Sequence, residues 1–237
     1  MLLRHLRPFP AAVALAAAAC SGGSGGAAPD SGARADASSD RSSDRASDAP
    51  PAMTFFVTST GSGALGGNLG GLEGADAKCR QLATAVGAGD RTWVAWLSVE
   101  RGPGGTPVHA KDRVGPGPWH DSKGRLIAAS LADLLPGPDL RPKGDQAAVD
   151  DLLDESGTPV PKSPTEHDIL TGTLASGLVA AGHTCGDWKS TEGDAQIGHA
   201  DNRGPFSWTE AHLTMGCTMA GVAANGGNGR FYCFVRR

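Results

Sequence analysis

Three residues late in the chain carry side chains suited to chemistry: His199, Asp201 and His212. Two imidazoles and a carboxylate this close in sequence are donors that hold a divalent metal of the zinc class. The plainer alternative is that they are ordinary polar residues of the loops between Cys185 and Cys217, exposed to water or hydrogen-bonded locally. No other cofactor is expected. His167 and Asp168 could pair for acid/base work, but neighbours on a strand point to opposite faces, which argues against a dyad. Asp150, Asp151, Asp154 and Glu155 offer oxygens to calcium without the spacing of an EF-hand, so a solvated acidic loop is the expectation.

Glycine patterns suggest chemistry and then withdraw it. Gly61-x-Gly63-x-x-Gly66 follows the apolar run Phe55-Phe56-Val57 and spells a dinucleotide-binding turn. Such a turn runs straight into its helix, with an acidic residue about 20 positions on. Here Gly67, Asn68, Gly70 and Gly71 intervene, and the next strand supplies no acidic residue at that spacing, its nearest being Glu100, 34 residues past Gly66. A surface loop is expected instead. Gly22-x-Ser24-x-Gly26 mimics a nucleophile elbow, but its surroundings offer neither strand nor helix. No HExxH and no phosphate-binding Walker loop occurs. No catalytic residue is assigned.

The elements that would position these residues follow from periodicity. Ala75, Cys79, Leu82, Ala83 and Val86 fall on one face of a helix starting near Leu72 and stopped by Gly87 and Gly89. Residues 91–99, rich in aromatic and β-branched groups, read as a core strand. Residues 130–137 read as a short helix ended by Pro136, residues 138–165 as mostly loop, and residues 230–235 as a closing strand. Strands near both ends, one clear helix and long loops predict an α+β domain whose ends meet. Trp93, Trp96, Trp119, Trp188 and Trp208 are expected mainly in the core. Trp188, Asn202 and Trp208 are the candidate ligand contacts of the long loops.

Composition bounds the rest. Glycine and proline number 35 and 16 of 237 residues, consistent with long loops, and the formal net charge of -4 argues against a nucleic-acid partner. The N-terminus has a basic head at residues 1–7, then twelve uncharged, mostly small residues ending at Cys20. That is the layout of an export signal, and at 1.5 Å per residue it is too short to cross a bilayer core of about 30 Å. Residues 21–52 contain no aromatic residue and no Val, Ile, Leu or Met. They form an expected disordered tether averaging roughly 30 Å end to end. Residues 53–237 are the size of one domain. Setting Cys20 aside leaves four cysteines, Cys79, Cys185, Cys217 and Cys233. In an exported domain these read as two disulfides, with three pairings open.

Several segments carry a resemblance. The sequence before Cys20, "LAAAAC", resembles the lipobox of bacterial lipoproteins, which implies that Cys20 is lipidated; cleavage at a plain Ala-x-Ala site is the alternative. Gly70-Gly71-Leu72-Glu73-Gly74-Ala75-Asp76-x-x-Cys79, then Ala85-Val86-Gly87 and "WVAWLS", resembles the start of endostatin, the C-terminal domain of certain collagens. Cys185-x-x-Trp188-Lys189-Ser190-Thr191, Cys217 and aromatic-flanked Cys233 are similar to its later cysteine segments. Residues 112–124, 167–173 and 207–217 are similar to segments of related domains in bacterial lipoproteins. The resemblance covers residues 54–236. It implies a C-type-lectin-like (endostatin-like) fold with paired first and last strands and nested disulfides, Cys79 to Cys233 and Cys185 to Cys217.

The histidines of endostatin's zinc site, its basic heparin-binding face and the calcium signature of sugar-binding lectins have no counterpart in this sequence. What remains is a non-catalytic, adhesion-type binding module, exported and held to the cell envelope by lipid alone. Its expected partner is an extracellular glycan, a matrix-like polymer or a protein. The alternatives are a metal-assisted hydrolase using His199, Asp201 and His212, and a purely structural envelope lipoprotein.

Overall fold

The computed structural model describes residues 50–135, 152–201 and 207–236. Cys20, the tether up to residue 49, Pro136, Asp150, Asp151 and Asn202 lie outside the described residues. The strands are β1 (Phe55–Val57), β2 (Trp93–Ala95), β3 (Trp119–His120), β4 (Leu126–Ala128), β5 (Asp168–Leu170), β6 (Gln196–His199), β7 (His212–Leu213) and β8 (Gly227–Val235). One sheet runs β1-β8-β5-β6-β7, with β2 also on β8, and β3 pairs with β4 separately.

The closing strand organises this sheet. β1 and β2 both pair antiparallel with its C-terminal half, placing Phe56 and Ala95 each opposite Cys233. β5 runs parallel to its N-terminal half. Side chains on a strand alternate between faces, and both faces of β8 are covered. Phe231, Cys233 and Val235 pack with Phe56, Trp93 and Ala95. Tyr232 and Phe234 pack on the other side with Phe55, Val94, Trp96 and Trp119. A strand buried twice reads as a continuous apolar run rather than an alternating one, which is why residues 231–235 look uniformly apolar.

The first face is closed by helix α1 (Gly71–Ala85), which buries Ala75, Cys79 and Ala83. Leu82 is only partly buried and Val86, the C-cap, is exposed, so the apolar stripe is narrower than its spacing predicts. One position round from Ala75, Asp76 accepts the Ala95 N–H at 2.8 Å and takes Arg113 on both oxygens, at 2.8 and 2.6 Å. That carboxylate ties α1, β2 and the short helix Ala110–Arg113 together. The expected strand over 91–99 is regular only at β2, although residues 93–99 are all buried. The helix expected in 130–137 is the single turn Leu131–Leu134, its Asp133 N–H capped by the Ser130 hydroxyl.

Both disulfides form as implied: Cys79–Cys233 joins α1 to β8, and Cys185–Cys217 closes the irregular region, each with Cα atoms 5.6 Å apart. The chain is therefore a mixed α+β domain with two disulfides. No helix among the described residues is long and apolar enough to cross a membrane.

Two loop expectations are corrected. The glycine loop is not all surface: Gly66 and Gly67 are buried, and a Cβ on Gly66 (φ +54°) would come within 2.3 Å of the Cys217 carbonyl. These glycines serve close packing on the second disulfide. Nor are Asp154 and Glu155 solvated, each being only 7% exposed. Asp154 accepts the Ser156 and Thr158 N–H groups at 2.9 and 2.8 Å, and Glu155 takes the Ser59 N–H at 3.1 Å and its hydroxyl. Buried carboxylates must find donors of this kind.

Candidate functional site

Strand register assembles a cluster of imidazoles and carboxylates at one end of the sheet. Asp168 in β5 lies directly opposite His199 in β6. His212 in β7 lies opposite Ile197, two residues before His199. Opposite residues share a face, and so do residues two apart on one strand. Asp168, His199 and His212 therefore project from one side of three successive strands.

Their atoms meet at one carboxylate oxygen. Asp168 is 3% exposed, and its Oδ1 lies 3.4 Å from His199 Nε2 and 3.6 Å from His212 Nε2. His167 Nε2 stands 3.2 Å from the same oxygen. None of the three contacts is aligned as a hydrogen bond to that oxygen. The other nitrogen of His167, Nδ1, is 3.1 Å from Asp201 Oδ1. The His167 ring stacks on His199 at 4.4 Å and 12°, whereas His212 meets His199 edge-on at 5.2 Å and 73°. Two overlapping sets of possible metal donors result: Asp168, His199 and His212, and His167, His199 and Asp201.

The local chain accounts for this convergence. His167 precedes β5, and the β5–β8 ladder shifts register between Asp168 and Ile169. The extra residues, Asn228 and Gly229, lie on β8, while β5 pairs with β6 in unbroken register. His167 itself lies outside the strand, so the alternation that argued against a His167–Asp168 pair does not apply, and the two side chains meet. Gly226 (φ +106°) faces His167, where a Cβ would stand 3.3 Å from the ring. At Gly198 a Cβ would be 1.7 Å from the Trp208 carbonyl, so only glycine lets residues 207–209 pass beside His199.

His199 and His212 thus sit on strands rather than loops, and His199 is buried. Asp201 lies beside the cluster, against His167. Asp168 is the residue that sequence spacing missed. Beneath the cluster Tyr232 is fully buried and donates its hydroxyl to the Trp208 carbonyl at 2.9 Å. Burial, and then the charges of Asp201 and Asp168, raise its pKa well above 10.0.

The tryptophan expectations divide. All five rings are buried. Trp188 donates to the Ser98 carbonyl at 2.8 Å and Trp208 to that of Leu134 at 3.0 Å. Neither offers a ring face to a ligand, because the core has taken both. Trp188 closes the turn Cys185–Trp188, in which Cys185, Asp187 and Trp188 have φ of 49°, 60° and 63°. This left-handed turn borders a cleft of about 360 Å³ that also touches Gly71, Arg101 and Lys189. No family model matches this chain, and no curated protein does either.

Proposed function

We propose that this chain is an exported, lipid-anchored binding module of C-type-lectin-like, endostatin-like architecture. It carries no catalysis of its own, and its ligand is an extracellular glycan, a matrix-like polymer or a protein. The observation that carries the reading is the way the domain closes on its own ends. β1 pairs with β8, and Cys79–Cys233 ties α1 to that same strand. Cys185–Cys217 then pins the irregular region between β5 and β8 from inside the first bridge. A rigid core carrying long stapled connections is a scaffold for recognition by loops. With Trp188 and Trp208 committed to the core, ligand contact falls to polar side chains.

The test is an array of glycans and extracellular matrix proteins probed with the purified full-length chain in detergent. The expected outcome is saturable binding to one ligand class, with the ligand recovered unchanged. Recovery of cleaved ligand would replace this reading with metal-assisted hydrolysis. Absence of binding to every class would leave a structural envelope role.

A further inference from the structure

We propose that Asp168, His199 and His212 bind one divalent cation of the zinc class, with His167 and Asp201 as the outer pair that orients Asp168. The starting point is the Asp168 carboxylate, which is 3% exposed and has an oxygen that accepts no aligned hydrogen bond. Leaving a buried charged oxygen in that state is costly. A cation at the point where the imidazoles converge would satisfy it.

Distance and ring orientation choose the ligands. Tetrahedral zinc with bonds of about 2.0–2.1 Å sets its donor atoms about 3.3–3.4 Å apart. His199 Nε2 and His212 Nε2 already stand 3.4 and 3.6 Å from Asp168 Oδ1. Their rings are inclined at 73°, so their in-plane lone pairs can meet at one point. The His167 ring is nearly parallel to His199, at 12°, and cannot aim at that point. Its two nitrogens instead lie 3.2 Å from Asp168 and 3.1 Å from Asp201. That places His167, backed by Asp201, beside the ligating carboxylate, where the outer layer of a metal site stands.

The donors also choose the ion. Two imidazoles and one carboxylate suit zinc and its transition-metal neighbours, whereas calcium and magnesium prefer oxygen throughout. Three protein ligands leave a tetrahedral position for water or a ligand oxygen. His212, whose side chain is 33% exposed, marks where the cluster reaches solvent. This assignment does not rest on the lectin-like reading: a chain that takes zinc but no glycan or protein would sink that reading alone.

The experiment is calorimetric titration of zinc into the metal-free full-length chain, alongside thermal unfolding with and without zinc. One ion per chain and a raised Tm are expected, and no comparable heat from calcium or magnesium. Asp168→Asn and His212→Ala should each abolish the one-to-one heat. His167→Ala and Asp201→Asn should weaken binding by about 10–100-fold. If Asp168→Asn fails to fold without zinc, His212→Ala, at a partly exposed position, decides alone. The proposal is overturned if the parent takes up no zinc or if His212→Ala titrates like the parent. It is also overturned if Asp201→Asn abolishes binding that a folded Asp168→Asn retains.

Discussion

The backbone of Gly67 lies directly against the sulfur of Cys185: a Cβ at residue 67 would stand 2.3 Å from Sγ and 2.7 Å from the Cys185 Cβ. Neither neighbour can yield, since Cys185 is held by its bridge to Cys217 and by the left-handed turn it begins. Gly67→Ala should therefore overpack the site and cost about 1–3 kcal/mol. Urea unfolding of the oxidised protein reads this as a lower midpoint at unchanged slope. A midpoint equal to the parent's would show that the disulfide moves freely.

The two bridges should differ in weight. Cys79–Cys233 closes 154 residues and Cys185–Cys217 closes 32. The chain-entropy model assigns them roughly 5 and 3.5 kcal/mol, as upper values. Replacing both members of one bridge by alanine, one bridge at a time, should lower stability more for Cys79/Cys233. That pair also joins α1 to β8, the strand on which β1, β2 and β5 all pair. The reverse order in denaturant would mean that strain or residual unfolded structure outweighs loop length.

Asp76 holds three elements with one carboxylate, so its removal should be felt beyond α1. Asp76→Ala leaves the Arg113 guanidinium, whose side chain is 10% exposed, without its carboxylate. Hydrogen bonds to charged groups contribute more than neutral ones, and a loss of about 2–3 kcal/mol is expected. Asp76→Asn keeps an acceptor for the Ala95 N–H and should lose less. Equal losses in thermal unfolding would mean that the acceptor for Ala95 contributes nothing and that the charge facing Arg113 carries the whole effect.

These residues also show what the sequence disclosed and what it hid. The buried stripe of α1 was legible because Ala75, Cys79 and Ala83 repeat at helical spacing, and β8 because aromatic residues flank Cys233. His199 and His212 were legible as metal donors by residue type. Asp168 was not, because its place depends on β5 lying opposite β6, a long-range pairing that no local pattern encodes. Its neighbour His167 argued against it under strand alternation, and that premise fails because β5 begins only at Asp168. Burial of Asp154 and Glu155 was hidden for the same kind of reason: their donors include Ser59, far off in sequence.

The proposed anchor rests on Cys20, which follows the short apolar segment and precedes the polar tether. Cys20→Ser should move the protein from the membrane fraction to the soluble fraction. Mass spectrometry of the parent should find acyl chains on that cysteine. A variant that stays with membranes, together with an unmodified parent cysteine, would rule the anchor out.

Tyr232 gives the domain an alkaline limit. The unfolded chain ionises this phenol near pH 10, whereas burial raises its pKa in the folded state well above 10.0. Above pH 10 the unfolded state thus binds fewer protons than the folded one, and stability falls as pH rises. Linkage sets the slope for one such group at about 1.4 kcal/mol per pH unit, starting at the unfolded pKa and continuing up to the folded one. Tyr232→Phe should remove this slope, at a neutral-pH cost of about 1 kcal/mol for the hydrogen bond to the Trp208 carbonyl. Tyr232 is the only tyrosine in the chain, so tyrosinate absorbance reports it alone. On raising the pH, that absorbance should appear together with the loss of native tryptophan fluorescence. Reversible ionisation near pH 10 with the fluorescence still native would show that the phenol reaches water in the folded state.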